Sequence, residues 1–247
     1  MPVSPDFPSP KKIPFVFFDV DDTLYERSQP FVLACEKIFA PHFTLDWKGV
    51  FEARCRYGDE VFEASQNGAM TLEESYIYRI THAFRDFGRE VSAEEALTFE
   101  RCFAGCLDQI SLEPGIDKVL QYLVDNGIPA AILTNGPASH QRRKLISLGV
   151  SRWIPEKYWC ISGEMDAAKP HPEIFRKAEQ ILDCTPDASW LVGDSYFHDV
   201  EGAAAAGWHS IWYTRKFAAP PEKILPAQAA PGNPAELLSA VMQLCQV

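Results

Sequence analysis

Two aspartates two residues apart, Asp19 and Asp21, follow the apolar run Phe15-Val16-Phe17-Phe18, with Asp22 next to them. On an extended segment alternate side chains share a face. Asp19 is then placed to attack phosphorus in line while Asp21 stands at the leaving oxygen as general acid, and the aspartyl-phosphate on Asp19 is hydrolysed by water that gives its proton to Asp21. Three other polar groups follow or adjoin apolar runs: Thr134-Asn135-Gly136, Lys169-Pro170, and Gly193-Asp194-Ser195 with Asp199 beyond. Carboxylates pressed together repel one another and are driven toward protonation unless a cation compensates. A hard divalent ion with oxygen ligands, Mg2+ foremost, meets that need and also binds phosphate. Lys169 adds a positive charge for a phosphoryl oxygen, while the Thr134 hydroxyl and the amides of a glycine turn offer hydrogen bonds. Such a set performs phosphoryl transfer.

The elements that must position these residues are legible from periodicity. Residues 13–18, too short for a buried helix and rich in aromatic and β-branched side chains, read as a central strand. From 28 to 107 the spacing turns helical, with Phe31, Cys35, Ile38 and Phe39, then Tyr76, Ile80, Phe84 and Phe87, and Thr71-Leu-Glu-Glu74 and Ser92-Ala-Glu-Glu95 look like capping boxes. No strand is evident in that block. After Pro114-Gly115 helices (116–126, 139–148, 172–182, 199–206) alternate with strands (130–133, 158–161, 190–192, 210–213), and a terminal helix starts near 234. Alternation of this kind implies a parallel sheet with right-handed crossovers. The expected fold is α/β, a Rossmann-like parallel sheet core (1–27 and 108–247) with a helical cap domain (28–107) inserted after the first strand. Ligands of open parallel sheets bind beyond the carboxyl ends of the strands, where all the polar groups named above would converge.

Composition narrows the function classes. The 247 residues are 47% hydrophobic and 23% charged, enough for real cores and unlike a disordered or fibrous chain. A formal charge of −11, with the 23 Lys and Arg residues scattered rather than massed, lacks the footprint of a nucleic-acid polymer or anionic-membrane binder. Seven cysteines without a C-x-x-C pair read as reduced thiols packed in a cytosol-like compartment. No stretch approaches the roughly 18 apolar residues of a membrane span. The N-terminal residues lack a signal peptide's apolar core, so the expected localisation is cytoplasmic.

In order, Asp19-Val20-Asp21-Asp22-Thr23-Leu24, Leu133-Thr134-Asn135-Gly136, Lys169-Pro170 and Gly193-Asp194-Ser195 with Asp199-Val200-Glu201-Gly202-Ala203 resemble the four motifs of the haloacid dehalogenase superfamily. The resemblance covers about 13 to 214, and the helical insertion resembles that superfamily's cap domain. It implies Asp19 as nucleophile and Asp21 as acid/base, with Mg2+ held by Asp19, the backbone carbonyl of Asp21, and Asp194. It implies Thr134, Asn135 and Lys169 as phosphoryl-binding residues and Asp199 as support for the metal site. Many members carry glycine where this chain has Asp22, which therefore reads as a turn residue rather than a third catalytic acid. The dehalogenase members lack an acid at the position of Asp21, and the phosphonate-cleaving branch needs a different residue there and a cap lysine, so Asp21 argues for phosphate esters. Thr134-Asn135-Gly136, Gln141 and Lys144-Leu145 look most like the nucleotidase and sugar-phosphatase branch, a pyrimidine 5′-nucleotidase being one version. The implied partner is a small-molecule phosphate ester, with monomer or homodimer left open. The competing readings are a haloacid dehalogenase-type hydrolase and a non-catalytic phospho-ligand-binding or signalling protein on the same fold.

Singly, each motif also has a bland reading as a cap, turn or surface residue; their ordered conjunction is what favours chemistry. His140, His171 and His198 read as loop or helix-start residues, since no H-x-x-H spacing exists. Arg54, Arg56 and Arg79 read as solvated helix arginines rather than readers of a second anionic group. The aromatic side chains Phe51, Tyr57, Phe62, Tyr76, Tyr78 and Phe84 read as packing rather than a base-stacking surface. Trp190, Trp208 and Trp212 read as core or interface.

Overall fold

In a computed structural model, which describes residues 13–61, 64, 68–214 and 232–244, five strands form one sheet: β1 (Phe15–Phe18), β2 (Ala130–Thr134), β3 (Trp159–Ile161), β4 (Ser189–Gly193) and β5 (His209–Trp212). Their order is β3-β2-β1-β4-β5 and every pairing is parallel. Short strands bounded by turns become central because both faces are covered: β4 is buried throughout, and Val16, Phe17 and Phe18 have no exposed surface. The expected α/β Rossmann-like sheet is the fold of the chain. The chain divides into two compact units, Arg27–Ile110 and the residues on either side of it.

The unit around the sheet buries Phe17, Leu133, Phe175, Leu191 and Trp208 in one cluster. Trp190 and Trp212 are buried as well. Helices α5 (Ile116–Asp125), α6 (Ala138–Ser147), α7 (Ser162–Met165), α8 (Pro172–Leu182), α9 (Gly202–Ala206) and α10 (Pro234–Leu244) belong to this unit. The helix expected at 199–206 is shorter, because Tyr196–Glu201 winds as a π-helical turn before α9 begins. The Asp199 carboxylate there accepts the backbone N–H of Ser195, a local side-chain bond of the kind that competes with regular helix.

Arg27–Ile110 is helical among its described residues: α1 (Gln29–Ile38), α2 (Trp47–Glu60), α3 (Leu72–Asp86) and α4 (Ala93–Cys106). Both capping boxes form, with Thr71 and Ser92 accepting from the N–H groups of Glu74 and Glu95 and the glutamates reaching back. Phe31, Phe39, Phe51, Phe84 and Phe99 pack edge-on and tilted in its core, so two of the flagged aromatics are core. Tyr57, Tyr76 and Tyr78 are half-buried, and Phe62 lies outside the described residues.

Of the three arginines, Arg54 and Arg79 depart from the expected solvated pattern and Arg56 keeps to it. Arg56 is exposed beside Asp86. Arg54 is 11% exposed and ion-paired at 2.8 Å to Glu100, itself 7% exposed, with its guanidinium over the Phe103 ring. Arg79 is half-buried and donates to the Ser75 hydroxyl. Periodicity could not reveal this, because a helix position that points inward is compatible with arginine only when a distant helix supplies its carboxylate. The six described cysteines are free thiols; Cys35, Cys106 and Cys160 are buried, while Cys55, Cys102 and Cys184 are half-buried. No helix of the described residues is long and apolar enough to cross a membrane.

Breaking the buried pair from one side leaves the other charge without compensation. Arg54→Met is expected to destabilise the Arg27–Ile110 unit by about 3–5 kcal/mol, read as a lower urea midpoint. The double variant Arg54→Met/Glu100→Leu should recover most of the loss.

Candidate active site

Parallel pairing puts the carboxyl ends of the strands on one edge, and three polar groups issue from it. Asp19 directly follows β1, Thr134 is the last residue of β2, and Asp194 directly follows β4. The Asp19 N–H donates to the Val192 carbonyl, 2.9 Å, so β1 is still paired to β4 at the residue that carries the carboxylate. Asp22 sits at φ 58°, the left-handed region that aspartate tolerates and glycine favours. This is the geometry of a turn residue, as expected for Asp22.

Lys169, 4% exposed, brings the aspartates together. Its Nζ lies 2.8 Å from Asp19 Oδ1 and 2.6 Å from Asp199 Oδ1. Lys169 is itself placed by Asn135, whose side-chain amide accepts the Lys169 N–H at 2.9 Å and donates to the Lys169 carbonyl at 2.8 Å. The Asn135 side chain is thus committed to the lysine backbone. Two of the three ammonium protons go to carboxylates; the third remains for another acceptor.

One carboxylate oxygen from each of Asp19, Asp194 and Asp199 lies within 4.8 Å of the others. Gly193 makes room for this cluster: a Cβ at that position would collide with the Asp199 carboxyl group. The Asp194 carbonyl accepts the Trp212 indole N–H from β5, 2.8 Å, which ties the loop after β4 to the sheet.

Burial pushes the Asp19 carboxyl up to about 6; Lys169 opposes this, and the Asp199 and Asp21 charges add to it. Lys169 goes the other way. Burial alone would lower its ammonium, yet the Asp19 and Asp199 charges hold it above the usual lysine range. The ionised form of Asp19 therefore remains under-compensated even with Lys169 against it. A grouped set of hard oxygen donors, with one carboxylate calling for more positive charge, fits a divalent cation of the Mg2+ or Ca2+ kind.

The Asp21 carboxylate is turned to different partners. Lys144 Nζ lies 2.8 and 2.7 Å from its two oxygens, Tyr25 Oη donates to Oδ1 at 2.6 Å, and Gln141 Nε2 donates to Oδ2 at 3.0 Å. Burial alone would raise this carboxyl, but the Lys144 charge and the three donors bring it below its ordinary value. The sequence marks Gln141 and Lys144 only as features resembling one branch of the superfamily, with no task given to them, and does not mark Tyr25 at all. The available signal is the spacing of Gln141 and Lys144, three apart on one face of α6, in a helix that starts just after Thr134-Asn135-Gly136. Among the histidines, His171 caps α8, His140 lies in the first turn of α6, and His198 meets the Ser195 hydroxyl at 3.0 Å.

The sheet, the aspartates on its carboxyl edge and the buried lysine between them define a hydrolase of the haloacid dehalogenase type. Residues 13–207 match the family described as haloacid dehalogenase-like hydrolase, and the chain belongs to that family. A glyceraldehyde 3-phosphate phosphatase of Methanopyrus kandleri is 35% identical over 212 residues, 79% of this chain and 82% of that protein. The corresponding Pyrococcus furiosus enzyme is 26% identical over 82% of this chain and 81% of its own length. A phosphoserine phosphatase of Thermus thermophilus is 35% identical over 42% of this chain and 41% of its own. In fold the chain is similar to the magnesium-bound HAD-hydrolase YfnB of Bacillus subtilis, at TM-score 0.70 and 22% identity, covering 94% of this chain and 99% of that one.

Gly193→Ala puts a methyl group onto the Asp199 carboxyl, so either β4 or the π turn must shift. The expected cost is about 1–3 kcal/mol of stability, together with loss of the Lys169–Asp199 contact. Thermal unfolding and a crystal structure of the variant would check both.

Proposed function

We propose that the chain is a Mg2+-dependent phosphatase of small phosphate monoesters, nucleotide or sugar phosphates among them, working through an aspartyl-phosphate on Asp19. The observation that carries this reading is the division of the two aspartates between two ammonium groups, Lys169 on Asp19 and Lys144 on Asp21. Asp19, buried and held by Lys169 Nζ, has the fixed orientation a carboxylate nucleophile needs. Asp21, two residues on and separately held, takes up a proton before the leaving oxygen departs, gives it to that oxygen, and as the carboxylate then takes a proton from the water that attacks the phosphoenzyme. Lys169 offers its third N–H to a phosphoryl oxygen, Thr134 offers its hydroxyl, and Asn135 holds Lys169 in place and contributes its main chain. Asp19, the Asp21 carbonyl and Asp194 would hold Mg2+, with Asp199 tying Lys169 to that group. When bound, the ion supplies positive charge for the phosphoryl oxygens and for the carboxylates around it.

Small substrates are supported by relatives named for glyceraldehyde 3-phosphate, phosphoserine and phosphoglycolate. A dehalogenase reading is disfavoured by Asp21, whose four hydrogen bonds hold an acid that a reaction with no proton to donate would leave unused. The scattered basic residues speak against a nucleic-acid polymer as substrate, and the free cysteines support a cytoplasmic setting. The helical insertion, residues 28–107, is proposed to act as a cap domain that selects the substrate.

Asp19→Asn should eliminate phosphoenzyme and product alike. Asp21→Asn with an activated aryl phosphate should accumulate phosphoenzyme, seen by mass spectrometry after rapid quenching as one added phosphoryl group. Equal labelling of both variants would reverse or void the assignment.

Proton and metal compete for the Asp19 carboxylate. With that carboxyl pushed up to about 6 in the metal-free protein, Mg2+ binding releases a proton below this pH and weakens as pH falls through it. Calorimetric titration at about pH 8 and about pH 5 should show tighter binding at the higher pH. Excess EDTA should abolish hydrolysis and added Mg2+ restore it; full activity in EDTA would overturn the metal reading.

A further inference from the structure

Asp21 is held from two directions by groups to which the sequence assigns no role. Tyr25 reaches it from the turn that follows β1, while Gln141 and Lys144 reach it from α6, more than a hundred positions away. Each carboxylate oxygen accepts two hydrogen bonds, one of them in each case from the same ammonium. A carboxylate with this many donors has its rotamer over-determined, and neither helix stability nor core packing asks for that. Lys144 is 13% and Asp21 22% exposed, so the pair is shielded enough for its geometry to persist.

The backbone next to the site is shaped to let this happen. Gly136 stands at φ 139°, and a Cβ there would lie 2.8 Å from Gln141 Nε2. The absence of a side chain at 136 thus leaves the path by which Gln141 crosses to Asp21, and on the way its Nε2 also donates to the Asn135 carbonyl at 2.9 Å. One amide therefore couples the turn that carries Asn135 to the carboxylate opposite. The Thr134-Asn135-Gly136 segment is linked to both aspartates: to Asp19 through Asn135 and Lys169, and to Asp21 through Gln141.

We propose that Lys144, assisted by Gln141 and Tyr25, is the positioning residue of the base step, fixing Asp21 as the carboxylate that takes a proton from the water attacking the phosphoenzyme. The proposal rests on the phosphatase reading above and deepens it. Lys144 touches neither phosphorus nor leaving group; it acts through Asp21. Its loss should be felt where Asp21 works and not where Asp19 works alone.

The test is the split between burst and turnover in Lys144→Met, a variant of similar length and no charge. With 4-nitrophenyl phosphate, whose leaving group departs without a proton, the rapid burst of nitrophenol should stay within about threefold of the unaltered protein, because Asp21 is not needed for that step. The turnover that follows the burst should fall by about 100-fold, the scale of a general-base contribution, while phosphoenzyme accumulates on Asp19. Lys144→Arg should restore most of that turnover. Tyr25→Phe, which removes one donor and keeps the ring, should show the same split in smaller degree and serves if Lys144→Met does not fold. An equal loss of burst and turnover, no loss, or a gain in turnover would overturn the proposal and leave the phosphatase reading standing. An unaltered protein that hydrolyses no 4-nitrophenyl phosphate with Mg2+ present would overturn the phosphatase reading itself.

Discussion

The ammonium of Lys169 is the interaction on which the site depends. It is buried between Asp19 and Asp199, and a buried cation is tolerated only when its partners are close and well aimed. Those partners come from the end of β1 and the π turn after β4, while Asn135, one residue beyond β2, grips the lysine backbone. One charge therefore joins the carboxyl ends of three neighbouring strands of a β2-β1-β4 arrangement. Removing it would leave two carboxylates facing each other in a place with little water to screen them.

Around that charge, two identical side chains two residues apart acquire opposite tendencies. Burial with like charges nearby raises Asp19, whereas Lys144, Tyr25 and Gln141 lower Asp21. Their environments thereby set the two carboxyl groups apart, with Asp21 held as the carboxylate. The separation is architectural: Lys169 lies beyond β3, Lys144 lies on α6 after β2, and each reaches a different one of the two aspartates.

The helical unit answers to different constraints. Its aromatic core and its two capping boxes make it compact in its own right, and its buried ion pair, Arg54 with Glu100, spans α2 and α4. Likeness to relatives runs through most of the chain, so it includes this unit. The cluster of aspartates around Lys169 lies instead at the carboxyl ends of the sheet strands.

The sequence alone was enough for the parallel α/β architecture, for both capping boxes and for the polar groups that follow the strands. Each of these is local: periodicity of two or 3.6, turn residues, capping boxes and short ordered motifs are written within a few positions. What only the tertiary structure decided is which polar group meets which. Asn135 binds the backbone of Lys169, Asp199 joins the carboxylate group around Asp19, and Lys144 turns to Asp21. Arg54 is buried against Glu100 for the same reason. Partners 30 to 150 residues apart leave no local pattern, because a buried charge is satisfied by whatever the packing of distant strands and helices brings within hydrogen-bonding reach.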